Sequence, residues 1–188
     1  MTYLSMDIKN SFPVKGSLSC YIEDESMKKI DAVLTFLSEK SIEYRAWYHP
    51  PAATIETAMQ YWRDIPGTHC KNLFFRNHKG NRHYLVIFEC SKNLRVEALE
   101  KTLKQGKLTF ASRERMLRFL GVEPGSVSPF GLLNDKERHV TLFIDSSLKS
   151  STYLSFHPND NRVTIVILRE DFFKFLESYG NEYQFFEI

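Results

Sequence analysis

The feature that most restricts this chain is a pair of apolar runs, Leu73-Phe74-Phe75 and Tyr84 to Phe88, separated by Asn77-His78-Lys79-Gly80-Asn81. Aromatic and branched side chains suit a pleated surface, and Gly80 can take positive φ in the connection. The segment therefore reads as a β-hairpin whose first strand Lys71 opens. Neither run alternates apolar with polar residues. Strands of that kind must be covered on both faces, which places the hairpin in the middle of a sheet.

The flanking patterns supply what would cover it. Met27, Ile30, Leu34 and Leu37 share one face of a helix starting near Ser26, and Ile42 to Tyr48 is a strand stopped by His49-Pro50-Pro51. Thr54 is an N-cap for a helix to about Trp62, with Glu56 in its first turn, and Ile65-Pro66-Gly67 turns the chain into the hairpin. Beyond the hairpin, Val96, Leu99 and Leu103 mark a helix stopped by Gly106. Ser112 caps another, with Met116, Leu117 and Leu120 inward and Gly121 at its end. Gly121 to Asp135 holds three glycines and two prolines and reads as loop. Val140–Asp145, Thr152–Phe156 and Arg162–Leu168 are strands, and Phe172, Phe175, Leu176 and Tyr179 line a closing helix that ends at Gly180.

The fold class expected is α+β: residues 26–188 form a single domain with a central mixed, mostly antiparallel sheet of about six strands flanked by helices. Residues 1–25 show neither period and are expected to be an extension of uncertain order. At 188 residues and 43% apolar, the chain can bury such a core. Its net charge of +2 excludes nonspecific nucleic-acid binding by bulk charge, so any RNA contact must be local. No run is long enough to span a bilayer and no secretory signal opens the chain, so the expected location is cytoplasmic. Cys20, Cys70 and Cys90 lie in no C-x-x-C pair and are expected as thiols, while His49, His69, His78 and His83 fit no metal template. No cofactor or metal is expected.

Several residues carry two readings. Lys71, directly after Thr68-His69-Cys70, either projects into a cleft where it meets phosphate or developing negative charge, or marks a solvated strand end. The loop Gly125-Ser126-Val127-Ser128-Pro129 either presents backbone N–H groups to a carbonyl oxygen or simply connects two elements. His157 is a ligand contact or a hydrogen-bonded imidazole, and Cys70 is an activated nucleophile or a buried inert thiol. Lys101, Lys104, Lys107, Arg113, Arg115 and Arg118, with Arg76, Lys79 and Arg82, either touch RNA phosphates or form solvated faces.

Taken together, Gly67-Thr68-His69-Cys70-Lys71-Asn72-Leu73-Phe74-Phe75, the Gly80 turn, Tyr84-Leu85-Val86 and Leu108 to Ser112 resemble the YbaK/prolyl-tRNA-synthetase-associated editing domain family. The stretches Gly121 to Gly131, Asn134-Asp135 and Phe156-His157-Pro158-Asn159 agree in order and spacing, so the resemblance spans about Ser26 to Gly180. It is strongest to the free-standing branch, the PrdX or ProXp-ala proteins. It implies hydrolysis of the ester joining a wrong amino acid to proline tRNA, with alanine the expected error and mischarged tRNA, with prolyl-tRNA synthetase, the expected partners. Serine, threonine or cysteine esters, or tRNA or synthetase binding without turnover, are the alternatives.

A synthetase pocket cannot strongly reject a smaller amino acid, since a missing methylene costs only about 1–3 kcal/mol, and a second hydrolytic site corrects the error. By resemblance, Lys71 would hold the tRNA end, Gly125, Ser126, Val127, Ser128 and Pro129 would position the aminoacyl carbonyl, and water would attack with help from the ribose hydroxyl. Thr54, Asn72, Phe130 and His157 would contact the substrate.

Overall fold

The computed structural model describes residues 24–188. The extension expected over residues 1–25 lies outside the described residues as far as residue 23, and helix α1 already begins at Asp24. In chain order the elements are α1 (Asp24–Glu39), β1 (Tyr44–Tyr48), α2 (Ile55–Trp62), β2 (Thr68–Arg76), β3 (His83–Glu89), α3 (Val96–Leu103), β4 (Thr109–Phe110) and α4 (Arg113–Leu120). They continue with a 3-10 turn (Pro129–Asn134), β5 (Val140–Asp145), a second 3-10 turn (Ser146–Ser150), β6 (Tyr153–Phe156), β7 (Val163–Leu168), α5 (Arg169–Tyr179) and β8 (Tyr183–Phe186).

The fold is α+β, built on one mixed sheet of order β1-β7-β6-β2-β3-β5-β8, with β4 paired to the end of β2. The hairpin is central, as its composition requires. β2 and β3 pair antiparallel from Cys70↔Glu89 to Arg76↔His83, and His83 to Phe88 are all buried. Four strand pairings are antiparallel and three, β2 with β6, β3 with β5 and β5 with β8, are parallel.

Eight strands stand where about six were expected. β4 is only two residues long and exposed on both, so it carries no burial pattern to read. β8 follows Gly180, and its half-buried Tyr-Gln-Phe-Phe acquires strand form only by parallel pairing with β5.

Both faces are covered. On one, Ile30, Val33 and Leu37 of α1, Leu120 of α4 and Phe172, Phe175 and Leu176 of α5 pack with Phe74, Leu85, Ile87, Leu142 and Ile165. On the other, Leu99 of α3 packs with Phe75, Val86, Phe88 and Phe143, and Trp62 of α2 packs with Trp47, Ile65 and Val166. This division follows the two-residue period of β2 and β3, odd and even positions entering different cores.

Two local expectations are corrected. Leu117 points outward, 36% exposed, because Phe119 turns into the fold beside Leu120 instead. The 121–135 stretch is irregular only as far as Ser128, after which Pro129, a fitting first residue for a helical turn, starts 3-10 structure. Among the described residues no helix is long and apolar enough to cross a membrane.

Candidate functional site

Lys71 occupies a branch point in the sheet. Thr68 and His69 pair in parallel with Leu154 and Ser155 of β6, and that ladder stops after two residues. From Cys70 onward β2 follows β3, and its free side meets β4 only at Phe75 and Arg76. Lys71 thus stands where β6 and β2 part, on the face opposite Cys70. Its ammonium nitrogen lies 6.0 Å from the Phe88 ring centroid. It forms no ion pair among the described residues, a costly state for a half-buried cation unless an anion is to be met there.

The start of α2 comes down beside this lysine. Thr54 caps the helix by accepting from Thr57 N at 3.3 Å. The Glu56 carboxyl is held below its usual range by its own backbone N–H, by the Thr54 hydroxyl and, more weakly, by the positive charge of Lys71. Two histidines that the sequence did not single out tie α2 to the sheet. His49 donates from Nδ1 to the Pro50 carbonyl at 2.9 Å, which leaves Nε2 to accept from Thr164 Oγ1 at 2.9 Å. Trp62 Nε1 donates to the same hydroxyl at 3.4 Å. His69 bonds Ser155 Oγ through Nδ1 at 2.8 Å and stacks on Trp62 with centroids 4.5 Å apart. Burial lowers the pKa of both imidazoles. The hydrogen-bonded pairs that cross to β6 and β7 are 86 to 115 residues apart in the chain, so no local spacing announces them.

The Gly125–Pro129 loop reaches the same region from the other side. Gly125 has φ +84°, and a Cβ there would come within 3.1 Å of Ala53 Cβ, next to Thr54. Its carbonyl accepts from Asn161 Nδ2 at 3.3 Å. Ser126, Val127, Ser128 and Pro129 are buried. Ser128 Oγ donates to the His157 carbonyl at 2.6 Å and accepts from Phe130 N at 3.3 Å, locking the loop to the turn that follows β6. Among the described residues, the backbone N–H groups of Gly125, Val127 and Ser128 donate to nothing. Gly125 is exposed, but Val127 and Ser128 are buried, and because buried amides are nearly always paired their unspent donors are suited to a ligand oxygen.

The remaining site candidates separate. His157 lies one alternate position past Ser155, with Nδ1 enclosed and unpartnered, and burial pushes its pKa down to about 4, so the ring is neutral at pH 7. Asn72 follows Lys71 and therefore points to the opposite face, where its Oδ1 is buried without a partner. Phe130 is 0% exposed and packs on Phe156 and Phe175, supporting the loop from beneath. The Cys70 thiol is buried and its pKa is raised far above normal by desolvation, so the inert-thiol reading holds and the nucleophile reading fails. Cys90 is also a free thiol, and Cys20 lies outside the described residues. Among the described residues no cluster of three or more metal-ligating side chains occurs.

Residues 49–175 match the model of the aminoacyl-tRNA editing domain. The chain is 35% identical over 157 residues to the prolyl-tRNA editing protein ProX of Acetoanaerobium sticklandii, covering 84% of this chain and 96% of that protein. It is 33% identical over 144 residues to prolyl-tRNA synthetase associated domain-containing protein 1 of Danio rerio, covering 76% and 78%. A solved structure of a candidate trans-editing enzyme for prolyl tRNA synthetase shares the fold at a TM-score of 0.63 and 17% identity, over 89% of this chain and 99% of that one.

Proposed function

The chain belongs to the aminoacyl-tRNA editing domain family, and from that premise we propose that it is a trans-editing deacylase. Its substrate would be the ester of mischarged proline tRNA, with Ala-tRNA(Pro) preferred. Residues 26–188 make up the editing domain. The observation that carries the reading is the pairing of an uncompensated Lys71 ammonium group with the unspent N–H groups of Gly125, Val127 and Ser128, both bordering the start of α2.

In this reading Lys71 holds a phosphate of the tRNA end, and the loop N–H groups receive the aminoacyl carbonyl oxygen. Water adds to the carbonyl carbon, negative charge gathers on that oxygen, and the N–H groups stabilise it. The carbon–oxygen ester bond then breaks and the ribose oxygen takes the proton, leaving free amino acid and uncharged tRNA. An activated ester needs no protein nucleophile for this, because positioning and oxyanion stabilisation supply the acceleration. Thr54 and neutral His157 border the aminoacyl group.

The test is hydrolysis of Ala-tRNA(Pro) and Pro-tRNA(Pro), with Ser-, Thr- and Cys-charged tRNA alongside, by the wild type and Lys71→Ala. Lysine-dependent loss of alanine is expected, with Lys71→Ala slower by roughly a hundredfold or more. Turnover of another ester would move the specificity, and unchanged hydrolysis in Lys71→Ala would displace the site. Tight tRNA binding without hydrolysis of any ester would make this a binding protein.

A further inference from the structure

A second set of charged side chains lies apart from Lys71. Strand alternation puts His83 with Leu85 and Ile87 on one face of β3, whereas Lys71 stands opposite Phe88 on the other. A cavity of about 320 Å³ there is lined by Gly80, His83, Arg115, Arg118, Phe119 and His139. Arg115 Nη1 donates to the Gly80 carbonyl and to His83 Nε2, both at 2.8 Å. An Nε2 that accepts leaves the proton of a neutral His83 on Nδ1, which donates to His139 Nε2 at 2.9 Å. His139 must then carry its own proton on Nδ1, a donor with no partner among the described residues.

His83 is only 1% exposed, and desolvation, His139 and the surrounding guanidinium groups depress its pKa to about 4, so it stays neutral at pH 7 and keeps this arrangement. Arg118 makes no hydrogen bond or ion pair among the described residues and is held at 5.2 Å from the Phe119 ring centroid. Phe119 in turn stacks on His139, centroids 4.6 Å apart. Glu114 is the one acidic group in the lining, and no ion pair joins it to either arginine. Two guanidinium groups, neither ion-paired to the one carboxylate in the lining, form with an imidazole N–H fixed by a relay a donor set of net positive charge.

We propose that this cavity is an anion site that takes a phosphate group, with Arg118, the remaining donors of Arg115 and His139 Nδ1–H as its ligands. Guanidinium and imidazole N–H groups match phosphate oxygens in geometry as well as charge. The phosphate is that of a free nucleotide or of an RNA backbone, and the two sources are separable.

The test is an amide NMR titration of the full chain with inorganic phosphate, with adenosine monophosphate and with a short RNA duplex, set against sodium chloride at equal ionic strength. Saturable shifts at Gly80, Asn81, His83 and His139 are expected, and Arg118→Gln, an exposed position, should weaken binding about tenfold at an unchanged melting temperature. Saturation by phosphate and the monophosphate identifies a free-phosphate site, and saturation by the duplex alone identifies a backbone contact. Shifts matched by chloride, shifts unaltered by Arg118→Gln, or no shifts with any of the three overturn the proposal. Deacylation by Lys71 is read separately and does not depend on the result.

Discussion

Cys70 and Lys71 are neighbours whose side chains leave β2 on opposite faces, and that single alternation gives them different chemistry. Cys70 enters the main core and its thiol is pushed well above the normal range, so Cys70→Ala should keep deacylation within about threefold, checked by steady-state kinetics. A larger loss at unchanged folding would restore the thiol to the mechanism. His83 and His157 both have pKa values pushed from 6.5 down to about 4 by burial. The unfolded chain would bind protons on these rings below about pH 6.5 while the folded chain does not. Their contribution to stability is therefore complete above that pH and is lost as the pH falls towards 4. Thermal melts should show a falling midpoint between pH 6.5 and 4, and a flat profile down to pH 4 would contradict the neutral assignment.

At the scale of elements, the loop before the first 3-10 turn works because of backbone conformation and one hydroxyl. Gly125→Ala places a Cβ 3.1 Å from Ala53 in a backbone of φ +84°. The strain is about 1–2 kcal/mol and should act mainly by shifting the loop, lowering kcat more than the melting temperature. Ser128→Ala removes the bonds to the His157 carbonyl and to Phe130 N, at a cost of about 1–2 kcal/mol in urea unfolding, and kcat should fall with it. Retention of full kcat in both variants would detach this loop from the reaction. The glycines, prolines and Ser128 of this segment are legible as a constrained turn. What the sequence could not disclose is the burial of Ser126 to Phe130, because the residues that meet this segment, Ala53, Phe156, His157, Asn159, Asn161 and Phe175, are far away in the chain.

For the molecule as a whole, the β2–β3 hairpin is the hub and the strands added to it come from distant parts of the sequence. β8 covers the outer side of β5 from Leu142↔Tyr183 to Asp145↔Phe186. Ending the chain at Gly180 would bare that edge, and an uncovered strand edge of Leu142, Phe143 and Ile144 invites pairing between molecules. Such a truncation should elute with an oligomeric or aggregated fraction in size-exclusion chromatography, where the full chain does not.

By itself the sequence determined the central hairpin, four of the five helices to within about two residues, the N-caps Thr54 and Ser112 and the left-handed cap Gly121. These depend on side-chain period and on φ preferences a few residues apart, which composition records directly. Tertiary structure decided that β6 leaves β2 after His69, so that Lys71 stands where the two strands part, and that β8 joins the sheet. It also decided that His83 and His139, 56 residues apart, share a proton relay with Arg115. Such arrangements arise from the balance of burial and hydrogen bonding over the folded whole, and no stretch of chain carries that balance locally.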